Sequence, residues 1–289
     1  MTKKCPLCNS DEFQILYDFR NPPIDANNGL PGIIRECKNC SLLYKDFDKA
    51  ISEVYSNTYA DAFVGLKDYA ESNVSKLFFR KILSKAKSRI KGNEKPVLLD
   101  VGAAMGTTMD IAKELGFQTK GVEISTMLAN KAKEKGHEVF NCNISEISSS
   151  EKFDVITMFD IIEHLDNPKE VLLNLKKMLK PKGEIIVYTP NHGSLIVKIG
   201  HLLYKLGFPN SAVNIFACTH TCFFTTDTLK NILNTSGFGI KEIVQFKYDT
   251  SRPGQEISTS EKVAVNLIEN IGSLLGYKGF RVVIYASNN

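Results

Sequence analysis

Residues 96–106, P-V-L-L-D-V-G-A-A-M-G, constrain the fold of this 289-residue chain more than any other stretch. Residues 97–101 form an apolar run of strand length that ends in a turn of small residues. Residues 107–115 then have helical composition, and Gly116 provides a C-terminal stop. A strand, a small-residue turn and a helix in this order are typical of the first unit of a doubly wound α/β sheet. Such a turn lets the backbone approach a ligand closely, and the helix N-terminus offers unpaired N–H groups.

The glycine spacing of this turn separates two kinds of cofactor. Dinucleotide-binding folds use G-x-G-x-x-G, which fails here because Ala104 stands between Gly102 and Gly106. The pattern that begins at Asp100, D-x-G-x-A-x-G, resembles motif I of the class I S-adenosylmethionine-dependent methyltransferases, usually D/E-x-G-x-G-x-G. The alanine is a departure from this pattern that is tolerable if its φ is negative. By this resemblance S-adenosylmethionine is bound by the four residues that match the motif: Asp100, Gly102, Ala104 and Gly106. The alternative is a tight strand-to-helix connection that binds no ligand.

A second strand is predicted over residues 117–124, and it ends near an acid. Glu123 lies 21 residues beyond Gly102, where a carboxylate can accept hydrogen bonds from both hydroxyls of an adenosine ribose. The alternative is a solvated acid at a strand end. By resemblance, Asn143 stands where methyltransferases carry an acid near the adenine amine. The residues that complete the predicted cofactor site are Ile124, Asn143 and Phe159.

The cysteines predict a separate module at the N-terminus. Four of the seven form two C-x-x-C pairs, Cys5 with Cys8 and Cys37 with Cys40. Two such knuckles complete a tetrahedral zinc site, so we expect residues 1–46 to be a zinc ribbon. Because the site has four protein ligands, the Zn²⁺ is expected to be structural rather than catalytic. Redox-active or incidental cysteines are the alternative.

The remaining chain divides into a helical linker or cap, residues 47–95, and a domain of alternating strands and helices, residues 96–289. With 43% hydrophobic and 24% charged residues, the balance is that of an ordinary soluble protein. A net charge of +4 argues against a nucleic-acid partner. There is no apolar run of membrane-spanning length and no apolar signal-peptide core, so we expect a cytoplasmic protein.

Three later segments carry a closer resemblance. Residues 153–160 read F-D-V-I-T-M-F-D, and I-I-E-H-L-D-N-P follows them; residues 179–191 read L-K-P-K-G-E-I-I-V-Y-T-P-N. Over residues 96–245 this order is similar to small-molecule methyltransferases related to ubiquinone-biosynthesis enzymes and bacterial sugar methyltransferases. With the ribbon, the chain looks like the zinc-ribbon methyltransferases that alter nucleotide-linked deoxysugars. The resemblance implies a Rossmann-like α/β fold with a seven-stranded sheet, whose last strand is antiparallel and inserted between the fifth and sixth.

The resemblance implies methyl transfer from S-adenosylmethionine to a small molecule, with a hydroxyl of a sugar or nucleotide-linked sugar as the expected acceptor. The additional C-terminal domain of sugar C-methyltransferases is not found, which favours O-methylation. A sugar hydroxyl benefits from a base, and a neutral imidazole can accept its proton near pH 7. The candidates are His164, after the fourth strand, and His220. Alternatively, the E-H-L segment only fixes its loop.

Residues 191–220 are predicted to form an insertion over the substrate. Four aliphatic residues within 193–206 recur at the i, i+3, i+4, i+7 spacing of one helix face: Ile199, Leu202, Leu203 and Leu206. We expect a lid that packs through this face. A helix that lies on a membrane surface is the alternative.

Two other functions stay open. One is rRNA or tRNA base methylation, since some rRNA guanine methyltransferases also begin with a zinc ribbon. The mild charge argues against it, as does T-P-N-H at residues 189–192 in place of an N/D-P-P-Y/F motif. The other is a protein that binds S-adenosylmethionine without turnover.

Overall fold

The computed structural model describes residues 4–19, 32–46, 72–92, 94–147, 150–208, 211, 215–216, 219–247, 258–277 and 279–288. Most of the predicted helical linker, residues 47–71, lies outside them. The described strands are β1 (Phe13–Asp18), β2 (Ile33–Cys37), β3 (Leu43–Asp46), β4 (Val97–Val101), β5 (Gln118–Val122), β6 (Glu138–Phe140), β7 (Phe153–Phe159), β8 (Leu179–Pro190), β9 (Cys222–Phe223), β10 (Phe238–Phe246) and β11 (Arg281–Asn288). The described α-helices are α1 (Asn73–Arg89), α2 (Thr107–Glu114), α3 (Thr126–Glu134), α4 (Pro168–Met178), α5 (Leu195–Lys205), α6 (Thr226–Thr235) and α7 (Thr259–Leu274).

The large sheet has seven strands in the order β10-β11-β8-β7-β4-β5-β6. Neighbours from β8 to β6 are parallel, whereas β11 is antiparallel to both β8 and β10. This confirms the predicted Rossmann-like α/β fold, including the antiparallel strand between the fifth and sixth. The chain runs outward from β4 to β6 on one side and then resumes at β7 on the other. The strand order therefore reverses between β4 and β7.

Helices cover both faces of this sheet, as strands with near-continuous apolar runs require. Leu98 of β4 packs with Phe79 of α1 on one face, whereas its neighbour Leu99 packs with Leu172 of α4 on the other. Because both faces are closed, polar side chains with a chemical role are left to the carboxyl edge of the parallel strands.

Strand β8 follows α4 without a loop. The helix ends at Met178, and the strand begins at Leu179, which pairs with Phe153. The segment K-P-K-G at residues 180–183 is absorbed as an irregularity near the start of the strand. Lys182 has a φ of 64° there.

Strands β1, β2, β3 and β9 form a second, antiparallel sheet. Its last strand comes from far along the chain: Tyr44 pairs with Cys222, and Leu43 pairs with Phe223. The amide of Lys45 also donates to the carbonyl of Thr221 at 2.8 Å. The N-terminal hairpins are therefore bonded directly to the segment that follows His220.

The four paired cysteines lie together beside this sheet. The Sγ atoms of Cys5 and Cys40 are 3.5 Å apart, as are those of Cys8 and Cys37. A disulfide would require about 2 Å, whereas four thiolates on a tetrahedral Zn²⁺ at about 2.3 Å lie just under 4 Å from one another. The donor set therefore fits the structural zinc that we propose here.

Helix α5 does not pack as predicted. Val197 and Gly200 form its buried side, and Val197 joins a cluster with Tyr17 of β1. Leu202 and Leu206, from the predicted packing stripe, are exposed instead. The expectation of a lid held by that stripe is wrong, because the helix uses the opposite side to contact the N-terminal sheet. None of the described helices has the length and hydropathy needed to cross a bilayer.

The cysteine cluster generates the first prediction. Structural Zn²⁺ contributes on the order of 10 kcal/mol to the folding of small modules. We expect Cys37→Ser to lose zinc by elemental analysis, to lower the melting temperature, and to speed amide exchange at residues 221–223, since β9 pairs with the module. Cys142→Ser, a half-buried thiol outside the cluster, should change none of these. Wild-type protein without zinc would contradict the prediction.

Candidate active site

The candidate site lies at the carboxyl edge of the large sheet, where the strand order reverses between β4 and β7. In open α/β sheets, ligands bind in the crevice at such a switch point. Most residues predicted for cofactor binding lie within or just after β4 and β5, and the predicted bases lie after β7 and before β9. The sheet topology brings these segments to one edge.

The turn after β4 requires its two glycines. Gly102 has a φ of 75° and Gly106 a φ of 81°, a region that disfavours residues with a Cβ. A Cβ on Gly102 would collide with Ile161, and one on Gly106 would lie 2.6 Å from His137 Cδ2. The Gly102 amide donates to the Val122 carbonyl at 2.8 Å, which ties the turn to β5.

Ala104 departs from the expected conformation. Its φ is 47°, so the condition of a negative φ is not met. The left-handed region costs a residue with a Cβ roughly 1 kcal/mol. In this conformation the Ala104 amide donates to Glu123 Oε2 at 2.9 Å, and that charge-assisted hydrogen bond offsets the strain.

Glu123 follows β5 and is almost fully buried. Its Oε1 accepts from the Ser125 amide at 2.8 Å, so two backbone N–H groups hold the carboxylate. Burial nevertheless raises the pKa of Glu123. A carboxylate fixed at this strand end is placed to accept bonds from a ligand's hydroxyl groups.

Asp100 lies inside the sheet, at β4. Its Oδ1 accepts from the Thr157 hydroxyl at 2.7 Å. Burial raises the pKa of Asp100 to about 7. The hydrogen bond from Thr157 lowers the pKa in part, and the negative charge of Glu123 raises it further. The group is therefore poised to ionise when a cation arrives nearby.

The other predicted cofactor residues are placed differently. The side chain of Ile124 is exposed. The Asn143 oxygen accepts from the Ser145 amide at 3.0 Å and so caps a short 3₁₀ turn, Ile144–Glu146. The Phe159 ring stacks on Phe79 with centroids 5.1 Å apart, so its side chain belongs to the core.

A second group of titratable side chains lies after β7. Glu163 and His164 belong to a 3₁₀ turn, Ile162–His164, and His220 precedes β9. Donor atoms of these three side chains all lie within 4.8 Å of one another. The structure thus brings both predicted bases together, with ring centroids 4.7 Å apart. Two imidazoles and a carboxylate are also a donor set that divalent metals use.

Burial controls the charges in this group. It lowers the pKa of His164 to about 4 and places that of His220 well below its usual value. It also raises the pKa of Glu163 to about 8, and the charge of Asp160 adds to this rise. Near pH 7 the imidazoles are neutral and Glu163 is protonated. Neither Glu163 oxygen has a hydrogen-bond partner among the described residues, and the same holds for His220 Nδ1.

Three neighbours of this group were not among the predicted site residues. Arg281, at the start of β11, forms an ion pair with Asp160. The ring of His192 lies 6.4 Å from that of His220, centroid to centroid. Thr221 donates to the Glu163 carbonyl through both its amide, at 2.8 Å, and its hydroxyl, at 2.9 Å. Because Thr221 also accepts from β3, the N-terminal sheet helps to hold His220 against Glu163.

The comparisons with known proteins agree with this arrangement. A family model described as a methyltransferase domain matches residues 70–243, more than half of the chain. A ubiquinone biosynthesis O-methyltransferase from Rickettsia canadensis is 28% identical over 195 residues, covering 64% of this chain and 79% of that protein.

Two solved structures share the fold. A SAM-dependent methyltransferase from Archaeoglobus fulgidus aligns with a TM-score of 0.53 at 22% identity, covering 80% of this chain and 100% of that one. Magnesium protoporphyrin IX methyltransferase from Synechocystis aligns with a TM-score of 0.54 at 10% identity, covering 84% and 100%. The family-model match shows that this chain belongs to the methyltransferase-domain family.

Proposed function

We propose that the chain transfers the methyl group of S-adenosylmethionine to a hydroxyl oxygen of a small molecule, a sugar or a nucleotide-linked sugar. One observation carries the proposal: a glycine turn with a fixed carboxylate lies at the same switch-point crevice as a buried cluster of two imidazoles and a carboxyl group. The glycine turn and its carboxylate suit a nucleoside cofactor. The cluster of imidazoles suits an acceptor that must lose a proton.

The glycine turn and the nearby acids fit S-adenosylmethionine by their chemistry. Gly102 and Gly106 keep side chains away from the turn, and Glu123 offers its carboxylate to ribose hydroxyls. Asp100 supplies a negative charge beneath the turn when it ionises. We assign the exposed side chain of Ile124 to contact with the adenine face. Asn143 could reach an adenine amine only through the oxygen that caps the 3₁₀ turn, so its role depends on that cap opening.

The bound cofactor supplies a methyl group already activated by its sulfonium. What the chain must add is orientation and proton removal, and positioning alone supplies much of the rate. His164 Nδ1 lies 3.4 Å from the Thr219 carbonyl, and the tautomer that donates this bond carries its lone pair on Nε2, the basic atom of a neutral imidazole. His220 lies against it and is also neutral near pH 7. We assign proton removal to this pair, with Glu163 held beside it as a neutral hydroxyl donor.

The acceptor class rests on resemblance and on relatives. The relatives carry O-methyltransferase names, which supports an oxygen acceptor. The zinc-ribbon arrangement supports a nucleotide-linked sugar. Incubation with radiolabelled S-adenosylmethionine and separate pools of nucleotide sugars, phenols and RNA tests this directly. Label in the sugar pool supports the proposal, label in phenols corrects its acceptor, and label in RNA or in no pool overturns it.

The ribose assignment yields a binding prediction. Glu123→Gln removes the charge but keeps the shape, so we expect S-adenosylmethionine affinity to fall about 10-fold or more, as for loss of a charged hydrogen-bond acceptor. Calorimetric titration measures it. Glu138→Gln, an exposed acid on β6, is the matched control and should bind normally. Equal affinity of Glu123→Gln and wild type would refute the assignment.

Asp100 yields a pH prediction. The pKa of Asp100 in the folded chain, about 7, exceeds its ordinary value of 3.8. Between these two pH values the folded chain keeps a proton on Asp100 that the unfolded chain has released. The contribution of Asp100 to the free energy of unfolding therefore falls as the pH rises from about 4 to about 7. A cationic cofactor favours the ionised carboxylate, so its affinity should rise with pH up to about 7 and then level. Asp100→Asn should flatten this rise; calorimetry across pH 5.5 to 8.5 decides.

The imidazole pair yields a kinetic prediction. A base contributes about 10²–10⁴-fold, so His164→Asn or His220→Asn should slow single-turnover methyl transfer by a factor in this range, with cofactor affinity nearly unchanged. His201→Asn, an imidazole of α5 outside the cluster, should keep the rate. Full rates in both variants would exclude the pair as base. A slow rate restored by added divalent metal would show that the imidazoles bind a cation instead.

A further inference from the structure

Helix α7 exposes the apolar row that a globular helix normally buries. Val263, Leu267, Ile271 and Leu274 recur at i, i+4, i+8 and i+11, the spacing of one helix face. Their exposed fractions are 63%, 58%, 42% and 87%. Among the positions of this helix whose burial is described, Glu269 and Gly272 are buried. The helix thus contacts the protein through a different side and presents its apolar row to the solvent.

Helix α5 shows the same reversal. Its inner side packs Val197 against the N-terminal sheet, while Leu202, Leu206 and Phe208 are exposed by 56%, 65% and 60%. Single exposed apolar residues are common on protein surfaces. Two amphipathic helices with outward apolar rows are not, and contiguous apolar surface marks an interaction site.

The two helices form one surface. They contact each other where Gly272 of α7 lies beside Leu195 of α5. A Cβ atom added to Gly272 would lie only 3.3 Å from the Leu195 Cβ. Lys198 Nζ lies 4.5 Å from the centroid of the Tyr277 ring, just beyond the end of α7. Here we call the outward sides of α5 and α7, with Phe208 and Tyr277, the apolar face.

The charges on the apolar face identify its occupant. The exposed charged side chains described on the two helices are all cationic: Lys198, Lys205 and Lys262. A symmetric contact between two copies would place this same patch, lysines included, against itself. An anionic lipid surface instead complements both features, because interfacial helices bury apolar side chains among the acyl chains and place lysines at the headgroups. We propose that the apolar face docks the enzyme on an anionic membrane.

The docking surface lies close to the candidate active site along the chain. Strand β8 ends at Pro190 at the carboxyl edge of the sheet, and α5 begins at Leu195. Helix α7 ends at Leu274, and β11 begins at Arg281 at the same edge, because β11 is antiparallel. Docking would therefore bring the carboxyl edge near the lipid surface. The proposal concerns location and does not depend on which acceptor is methylated.

Vesicle flotation with the full zinc-containing chain tests the proposal. We expect binding to vesicles of phosphatidylcholine with about a third phosphatidylglycerol, weaker binding to phosphatidylcholine alone, and a decrease with salt. Leu267→Glu combined with Ile271→Glu should reduce binding at least 10-fold. Lys198→Glu and Lys205→Glu should each reduce it about fivefold or more, from the loss of one cationic contact.

Matched controls keep the test decisive. Leu77→Glu changes an equally exposed leucine on α1, away from the apolar face, and should bind vesicles like wild type. Unchanged S-adenosylmethionine affinity in every variant shows that the fold is intact. Absence of vesicle binding at low salt would overturn the proposal. So would a concentration-dependent dimer, seen by sedimentation, that the Leu267→Glu and Ile271→Glu changes dissociate, since the apolar face would then be a contact between copies.

Discussion

The burial of the central sheet on both faces is the constraint on which the rest of the structure depends. Leu98 and Leu99, adjacent in β4, point into opposite cores, so neither face of the strand can carry an open site. Polar groups with a chemical role are therefore confined to the carboxyl edge. Where such a group lies deeper, as Asp100 does, the low dielectric changes its acidity. Burial of the sheet on both faces therefore determines both where the polar groups lie and how their pKa values shift.

Local pattern was enough to predict the glycine turn after β4 and the acid after β5. The turn at Gly102 and the acid at Glu123 are fixed by strand length, turn chemistry and spacing, which short sequence windows contain. The left-handed φ of Ala104 could not be read from the motif, because it is stabilised by a bond to Glu123, which follows another strand. Phe159 was placed in the cofactor site, but its ring is packed on α1, an element outside the motif.

Long-range contacts were beyond the same reasoning. Two-residue strand β9 has no periodicity to detect, yet it joins the N-terminal sheet to Glu163 through Thr221. The apolar stripe of α5 was correctly recognised as amphipathic, but periodicity does not say which side meets the protein. That choice was made by Tyr17 and its neighbours in the N-terminal sheet. The division into a ribbon, a linker and a catalytic domain stays a prediction.

The pairing of β3 with β9 has a consequence for synthesis. Cys222 enters the chain 176 residues after Asp46, the last residue of β3. A ribosome adds roughly 5–20 residues per second, so the N-terminal sheet exists for about ten seconds or more without its fourth strand. During that time the edge of β3 is open to pairing with other chains. Early capture of zinc by the four cysteines would hold the hairpins in register until the distal strand emerges.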